Sequence, residues 1–202
     1  MTFYARATTV AIALVLALSL PRPGWAGAPA EQLKTRVDEV IRILSTMESK
    51  RPADRRAAVR KIADQIFDWE ETAKRSLGRH WKDRTPQERE EFVHLFTGLL
   101  EQSYIGKIDS YGGEKVKYGG DTVEADEAVV RTMIVTPQGS EIPVNYRMVR
   151  REGDQWKVYD VVIEGVSLVA NYRSQFNKII ETSSYKDLVA RLKAKAASPP
   201  SS

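Results

Sequence analysis

The sequence predicts an α+β fold, in which helices pack on one face of a twisted antiparallel sheet of about four strands. Apolar residues recur at helical spacing in the first half of the chain, as from Leu33 to Leu44 and from Phe92 to Leu100. After the segment YGGEKVKYGGD (111–121) the apolar period changes to two, and turn-type sequences separate the runs. Helices, then an antiparallel meander, then two closing helices are typical of this class.

Capping residues mark where three of the six predicted helices begin. Asp68 with Glu71, and Thr85 with Glu88, have the spacing of a capping box, and Ser167 is an N-cap residue. The predicted helices cover Pro29 to Met47, the segment after Pro52, Asp68 to Gly78, Thr85 to about Tyr104, Ser167 to Ile180, and a last segment with Leu188, Val189 and Leu192.

Runs with a period of two predict the strands. The predicted strands cover a short segment from Glu114 to Tyr118, then Ala128 to Thr136, Ile142 to Arg150, and Gln155 to Glu164. One face of the third strand carries Ile142, Val144, Tyr146 and Met148. The fourth strand is apolar at three consecutive positions, 161–163, so both of its faces must be covered.

The first 28 residues have the three regions of a secretory signal peptide. Arg6 supplies the positive charge, Val10 to Leu20 the apolar stretch, and Ala26 to Ala28 a cleavage site of small residues. The apolar stretch is about half of the ~20 residues that a membrane-spanning helix needs. We therefore expect a signal peptide at 1–28, a single domain at 29–195, a disordered tail at 196–202, and a location in the periplasm.

The amino-acid composition limits the kinds of molecule that the protein is expected to bind. The chain has no cysteine, so its fold cannot rest on disulfides, and an exported protein without them fits the bacterial periplasm. Residues 1–28 contain Arg6 and Arg22 and no acidic residue, so the remainder is two charges less positive than the +4 of the full chain. A nearly charge-balanced protein outside the cytoplasm is not expected to bind nucleic acid.

Known catalytic and metal-binding motifs do not fit the sequence. Gly165 to Ser167 resembles the start of a nucleophile elbow, but Val169 stands where that motif requires glycine, and no histidine follows. His80 and His94 lack the spacing of a metal-binding pair on one helix. We expect neither a metal site nor a catalytic serine.

Asp160 is the one candidate acid or base. By strict alternation it shares a strand face with Trp156, Val158 and Val162. A carboxylate in an apolar pocket is suited to acid–base chemistry, whereas the alternative is an ion pair with Arg147 or Arg173.

The basic run from Lys74 to Arg84 has two interpretations. It is either a solvated connection between helices or a contact for a phosphate headgroup or an acidic partner.

Two segments carry a resemblance to a known family. FDWEETAKRSLGRHWKDRTPQEREEF (67–92) and WKVYDVVIEGVSLVANYRSQF (156–176), together with the signal peptide, resemble the MlaC family of periplasmic phospholipid-binding proteins, also described as toluene-tolerance auxiliary proteins. The resemblance covers nearly the whole chain after the signal peptide. It implies a twisted, NTF2-like sheet with helices around a cavity that holds acyl chains.

The resemblance also implies a function without chemistry. A member of this family is a monomeric carrier of phospholipid, which is its cargo and not a cofactor. It shuttles lipid between an outer-membrane lipoprotein complex and an inner-membrane ABC transporter with a ring of MCE domains, and so maintains lipid asymmetry.

With the resemblance, the apolar helix and sheet faces become candidate lipid-binding surfaces. The predicted lipid-binding residues are Trp69, Phe92, Phe96, Leu99, Tyr104, Ile142, Val144, Tyr146, Met148, Val162, Val166, Val169 and Tyr172. Which face of the sheet lines the cavity is left open by the sequence.

Three alternatives to a phospholipid carrier remain at this point. A related carrier of the same family could serve hopanoid lipids, a small cavity-bearing hydrolase or isomerase could use Asp160, and a structural adaptor could have a solid core.

Overall fold

The computed structural model describes residues 28–46 and 51–197. Within these ranges the chain forms six α-helices and a five-stranded sheet in the order β1-β2-β3-β4-β5, with each neighbouring pair antiparallel. The helices are α1 (Ala28–Thr46), α2 (Pro52–Ile66), α3 (Trp69–Leu77), α4 (Pro86–Asp109), α5 (Leu168–Thr182) and α6 (Tyr185–Ala197). The strands are β1 (Lys115–Glu124), β2 (Glu127–Val135), β3 (Glu141–Arg151), β4 (Gln155–Ile163) and β5 (Val166–Ser167). The predicted α+β class is confirmed, with one short strand more than expected.

The predicted ends of the domain lie close to the limits of the described residues. The expected signal peptide lies outside them, apart from Ala28, which begins α1. At the other end α6 continues to Ala197, two residues into the segment predicted as a tail, and 198–202 lie outside the described residues. No helix in the described part of the chain has both the length and the apolar content needed to cross a bilayer.

The predicted N-caps begin their helices through hydrogen bonds of the expected kind. The Asp68 carboxylate accepts the backbone N–H of Glu71 at 2.9 Å. Thr85 and Glu88 form a complete capping box, because each side chain accepts the backbone N–H of the other, at 3.2 and 2.9 Å.

The first strand is longer than the sequence suggested. The predicted strand ended at Tyr118, but β1 continues through Gly119 and Gly120 to Glu124. A bulge between Tyr118 and Asp121 absorbs them, and Gly120 has a φ of 84° that favours glycine.

A second bulge corrects the predicted placement of Asp160. Arg147 pairs with Asp160 and Met148 pairs with Val158, so Tyr159 is an extra residue in β4. The extra residue reverses the alternation, because partners in antiparallel strands share a face. Asp160 therefore lies on the face of Arg147, opposite the face of Trp156 and Val158, and only Val162 of its three expected neighbours shares its face.

The apolar side chains form two separate cores. The sheet core joins α1 and α2 to one sheet face and consists of Leu33, Ile62, Ile66, Ala128, Val130, Met148, Trp156 and Val158. The helical core joins α3, α4, α5 and α6, and consists of Ala73, Leu77, Trp81, Phe92, Leu95, Phe96, Phe176, Leu188, Val189 and Leu192.

The two cores explain the apolar run in β4. Val161 packs against the sheet core. Val162 points to the opposite face and is buried, and α5 packs against β4. Helices thus lie on both faces of the sheet at β4, whereas the sequence predicted them on one face.

Candidate functional site

Four of the predicted lipid-binding residues, Phe92, Phe96, Leu99 and Tyr172, lie in or against the helical core. A fifth, Tyr104, lies on α4 near Tyr172. Phe96 is 1% exposed, and its ring meets that of Tyr172 edge to face at 5.1 Å. Burial, together with the nearby Tyr172, raises the pKa of the Tyr104 phenol. The rings of Phe92, Phe96 and Tyr172, together with that of Phe176, lie 5.1 to 5.8 Å apart in successive contacts and form an aromatic wall.

Four further predicted residues lie together on β3, as the sequence pattern indicated. Ile142, Val144, Tyr146 and Met148 share one sheet face, and the sheet core with α1 and α2 covers it at Tyr146 and Met148. Met148 belongs to the sheet core, and burial raises the pKa of Tyr146 to about 12. The part of this face around Met148 belongs to the sheet core, which is separate from the aromatic wall of the helical core.

The remaining four predicted residues are dispersed. The ring of Trp69 stacks on Phe67 with centroids 4.6 Å apart. Val162 and Val169 are buried, whereas Val166 is 58% exposed. The structure therefore does not gather all thirteen predicted residues into one pocket.

A small cavity lies where the helical core and the sheet core meet, and we call it the inter-core cavity. Its volume is about 20 Å³. It is lined by Phe67, Thr72, Phe96, Leu100, Tyr159, Asp160, Val161, Leu168 and Val169. Two of these, Phe96 and Val169, were predicted as lipid contacts. The others were not predicted as lipid contacts. Leu100 and Val161 lie in apolar runs of predicted elements, Asp160 was considered only as an acid or base, and Leu168 follows the N-cap of α5.

A larger groove of about 550 Å³ lies elsewhere, between α1, the end of α2 and the turn from β3 to β4. Of the predicted lipid-binding residues only Met148 lines it. The lining residues are Gln32, Leu33, Thr35, Arg36, Gln65, Ile66, Met148, Gly153, Asp154, Gln155, Trp156 and Lys157. More than half of them are polar or charged, so the groove is unlike an acyl-chain tunnel.

Asp160 accepts three hydrogen bonds from groups of the fold. Its side chain accepts the Ser167 hydroxyl at 2.6 Å, the Val169 N–H at 3.0 Å and an N–H of Arg147 at 3.3 Å. Of the two interpretations of Asp160, an acid–base group or an ion-pair partner, the ion pair with Arg147 is confirmed. The carboxylate fastens the start of α5 to β4 and has no histidine partner among its hydrogen bonds.

The two histidines have no shared site. His80 hydrogen-bonds Asn177 at 3.0 Å, which links the segment after α3 to α5, and His94 is exposed on α4. Among the described residues no group of three or more His, Cys, Asp or Glu side chains is placed to hold a metal ion.

A network of ion pairs joins α3 to the sheet beside the inter-core cavity. The Arg75 guanidinium lies 3.7 Å from the centre of the Tyr159 ring and hydrogen-bonds both Glu71 and Glu127 at 2.7 Å. The Tyr159 hydroxyl donates to Glu127 at 3.1 Å. The hydrogen bond from Arg75 lowers the pKa of the Glu127 carboxyl. Because Tyr159 also lines the cavity, this network closes one of its sides.

Most cations of the basic run from Lys74 to Arg84, which begins within α3 and ends before α4, already face carboxylates. Lys74 and Arg75 pair with Glu71, Arg79 pairs with Glu181, and Arg84 pairs with Glu88. This pairing favours the interpretation of the run as a connection between helices.

Comparison with known proteins agrees with the resemblance found in the sequence. The family model described as MlaC protein matches residues 34–194. The intermembrane phospholipid transport system binding protein MlaC of Haemophilus influenzae is 24% identical over 148 residues, which cover 71% of this chain and 69% of that protein. The toluene tolerance protein ttg2D of Pseudomonas putida is 24% identical over 123 residues, which cover 59% of this chain and 56% of that protein.

A solved structure supports the same assignment. The phospholipid-binding protein from Ralstonia solanacearum, solved in complex with a phospholipid, superposes with a TM-score of 0.74 and 26% identity. The superposition covers 84% of this chain and 97% of that one. With a family match that spans most of its length and a shared fold, the chain belongs to the MlaC protein family.

Proposed function

We propose that this protein is a phospholipid-binding carrier of an intermembrane lipid transport system. The observation that carries the proposal is the structural match over nearly the whole length of a relative solved with a bound phospholipid. The name of the Haemophilus influenzae relative, a binding protein of an intermembrane phospholipid transport system, supports the same function.

We place the acyl chains in the inter-core cavity, between the aromatic wall of the helical core and β4. Its lining is mainly apolar, with Phe96 and Leu100 on α4 facing Val161 and Leu168. Hydrocarbon gains most where it is enclosed on all sides by such residues. The larger groove is open and mostly polar, so an acyl chain lying there would keep one side in water.

The inter-core cavity has to widen before it can hold a lipid. Its volume is about 20 Å³, whereas ligand pockets usually measure about 300 Å³ or more. Lipid binding therefore requires the helical core and the sheet core to move apart.

A carrier of this kind needs no chemistry of its own. Burying an acyl chain of some fifteen methylenes gains about 12 kcal/mol relative to water, but a bilayer offers nearly the same gain. The free energy of the lipid therefore differs little between carrier and membrane, whereas the barrier to its transfer through water is large. We propose that a docked partner provides an apolar path, and that direction comes from the partners.

The proposed partners are an inner-membrane ABC transporter with MCE domains and an outer-membrane lipoprotein complex, which places the protein in the periplasm. Cleavage of the signal peptide would then leave Gly27 or Pro29 as the first residue. Either start keeps Ala30, whose N–H donates to Asp121 in β1 at 3.3 Å. N-terminal sequencing of protein from the periplasmic fraction tests this, and an intact Met1 in the membrane fraction would contradict it.

The test of the carrier function is a transfer assay. Protein loaded with a fluorescent phospholipid is mixed with liposomes that contain either no protein or the MCE-domain transporter. We expect the lipid to stay bound beside bare liposomes and to leave quickly when the transporter is present. Rapid exchange with bare liposomes would contradict partner-controlled transfer, and failure to load any phospholipid would contradict the function itself.

A further inference from the structure

The side chain of Gln32 bridges two backbone groups at the edge of β4. Its Nε2 donates to the carbonyl of Asp154 at 3.0 Å, and its Oε1 accepts the N–H of Trp156 at 2.9 Å. The two bonds fix the orientation of the amide, because only its nitrogen can face a carbonyl. Gln32 lies on the first turns of α1 and is itself exposed.

This pair of bonds is the one that a neighbouring parallel strand would make. A residue in a parallel strand donates its N–H to the carbonyl before its partner and accepts the N–H of the residue after it. The carbonyl of Asp154 and the N–H of Trp156 flank Gln155 in this way. The glutamine amide therefore caps a strand edge that would otherwise be open to pairing.

The chain itself pairs in parallel with the same edge a little further along. Phe67 forms a parallel bridge with Val158, and the N–H of Asp68 donates to the Val158 carbonyl at 2.8 Å. Backbone pairing on this side of β4 is thus possible in the fold. Before Val158, the Asp154 carbonyl and the Trp156 N–H are bonded to a side chain instead of a strand.

The groove of about 550 Å³ runs beside this capped edge. Its apolar floor is formed by Leu33, Ile66, Met148 and Trp156. Its volume is in the range of about 300 to 1,000 Å³ that is usual for ligand sites. An extended segment on the edge of β4 could place alternate side chains toward this floor and toward solvent.

One cation at the groove is available to an acidic ligand. The Lys157 ammonium donates to the backbone carbonyl of Gln65 and has no carboxylate partner among the described residues. Arg36, the other basic residue of the lining, lies 3.4 Å from Glu39. A carboxylate beside Lys157 would complete an ion pair in a partly enclosed site.

We propose that this groove is a docking site for a short, extended, acidic segment of a partner protein, which displaces the Gln32 amide and pairs in parallel with β4. The segment donates to Asp154 and accepts from Trp156, so the two hydrogen bonds that Gln32 gives up are restored. Its net gain comes from an apolar side chain on the groove floor and a carboxylate beside Lys157. The proposal is independent of where the lipid binds.

The test uses a capped pentapeptide, acetyl-Val-Glu-Val-Glu-Val-amide, titrated into the ¹⁵N-labelled protein. We expect the backbone amide of Trp156 and the side-chain amide of Gln32 to shift. Replacement Gln32→Ala removes the competing cap, so the peptide should bind several-fold more tightly. Replacement Lys157→Glu should weaken this peptide and favour the matched peptide in which both glutamates are lysines.

A second control peptide has proline at its centre and cannot donate the hydrogen bond to Asp154. It should bind much more weakly than the first peptide. The proposal is overturned if the Trp156 amide of the Gln32→Ala protein is unmoved at millimolar peptide, or if the proline peptide binds equally well. It is also overturned if a soluble short-chain phospholipid shifts this amide and the peptides do not, because the groove would then be a lipid site.

Discussion

The Ser167 hydroxyl donates a hydrogen bond to the Asp160 carboxylate at 2.6 Å, and its oxygen accepts the backbone N–H of Ala170 at 3.0 Å. One hydroxyl group therefore caps α5 and ties it to β4. The Val169 N–H completes the link by donating to the same carboxylate. Since α5 belongs to the helical core, this link holds that core to β4 at the start of α5.

Replacement Asp160→Asn tests the structural role of this carboxylate. The amide keeps the shape, but its NH₂ group faces either the Val169 N–H or the donors of Ser167 and Arg147. We expect a loss of about 1–3 kcal/mol in the free energy of unfolding, measured by urea denaturation. The folded fraction should still bind phospholipid.

Ser167→Ala is the matched control, and loss of the cap should cost about 1 kcal/mol. If Asp160→Asn left stability unchanged and abolished turnover of a substrate, the structural account would be replaced by an enzymatic one.

Gly78 is required by the backbone at the end of α3. Its φ of 60° and ψ of −130° are disfavoured for other residues, and a Cβ there would lie 3.2 Å from Cδ of Arg173. Replacement Gly78→Ala should lower the free energy of unfolding by about 1–3 kcal/mol.

Gly98→Ala is the control for this prediction. Gly98 lies within α4, and a Cβ there would meet no atom within 4 Å. Alanine should stabilise the helix by up to about 1 kcal/mol. If thermal unfolding showed the same change in stability for Gly78→Ala and Gly98→Ala, the backbone conformation at position 78 would not require glycine.

The pairing of Glu127 predicts how stability depends on pH. The hydrogen bond from Arg75 lowers the pKa of Glu127 in the folded state, so the folded protein holds fewer protons there than the unfolded chain. This stabilisation is present above the unfolded pKa of about 4.3 and is lost as pH falls through the folded value.

Glu127→Gln should therefore be less stable than the wild type at neutral pH, and the difference should shrink as pH falls below about 4. Urea unfolding between pH 3 and pH 7 measures both curves. If the free energies of unfolding of the two proteins changed in parallel over this pH range, the charge of Glu127 would not contribute to stability.

Local sequence signals were sufficient to predict the helices and the fold class. Asp68, Thr85 and Ser167 cap helices through neighbours within three residues, so their roles depend on little else. The bulge at Tyr159 was not predictable, because it depends on the register of β4 against β3. One inserted residue was enough to move Asp160 to the other face.

The candidate site was predictable in its residue types but not in its assembly. Phe96 and Val169 were identified as apolar residues on their elements, yet their meeting at one cavity depends on how the two cores pack. The exposure of Val166 also depends on the tertiary structure, because this residue lies in a two-residue strand at the sheet edge. No local pattern distinguishes it from Leu168, two residues later.

This difference between Leu168 and Val166 provides the most direct test of the central claim, that phospholipid occupies the inter-core cavity. Leu168 lines the cavity, whereas Val166 is 58% exposed, so the same added carboxylate is placed inside or outside it. Wild type, Leu168→Glu and Val166→Glu are isolated without denaturant and weighed by native mass spectrometry, with circular dichroism to confirm folding. We predict a phospholipid-sized added mass on the wild type and on Val166→Glu, and its loss from folded Leu168→Glu. Wild-type protein of bare mass, or lipid retained equally by all three proteins, would contradict the claim.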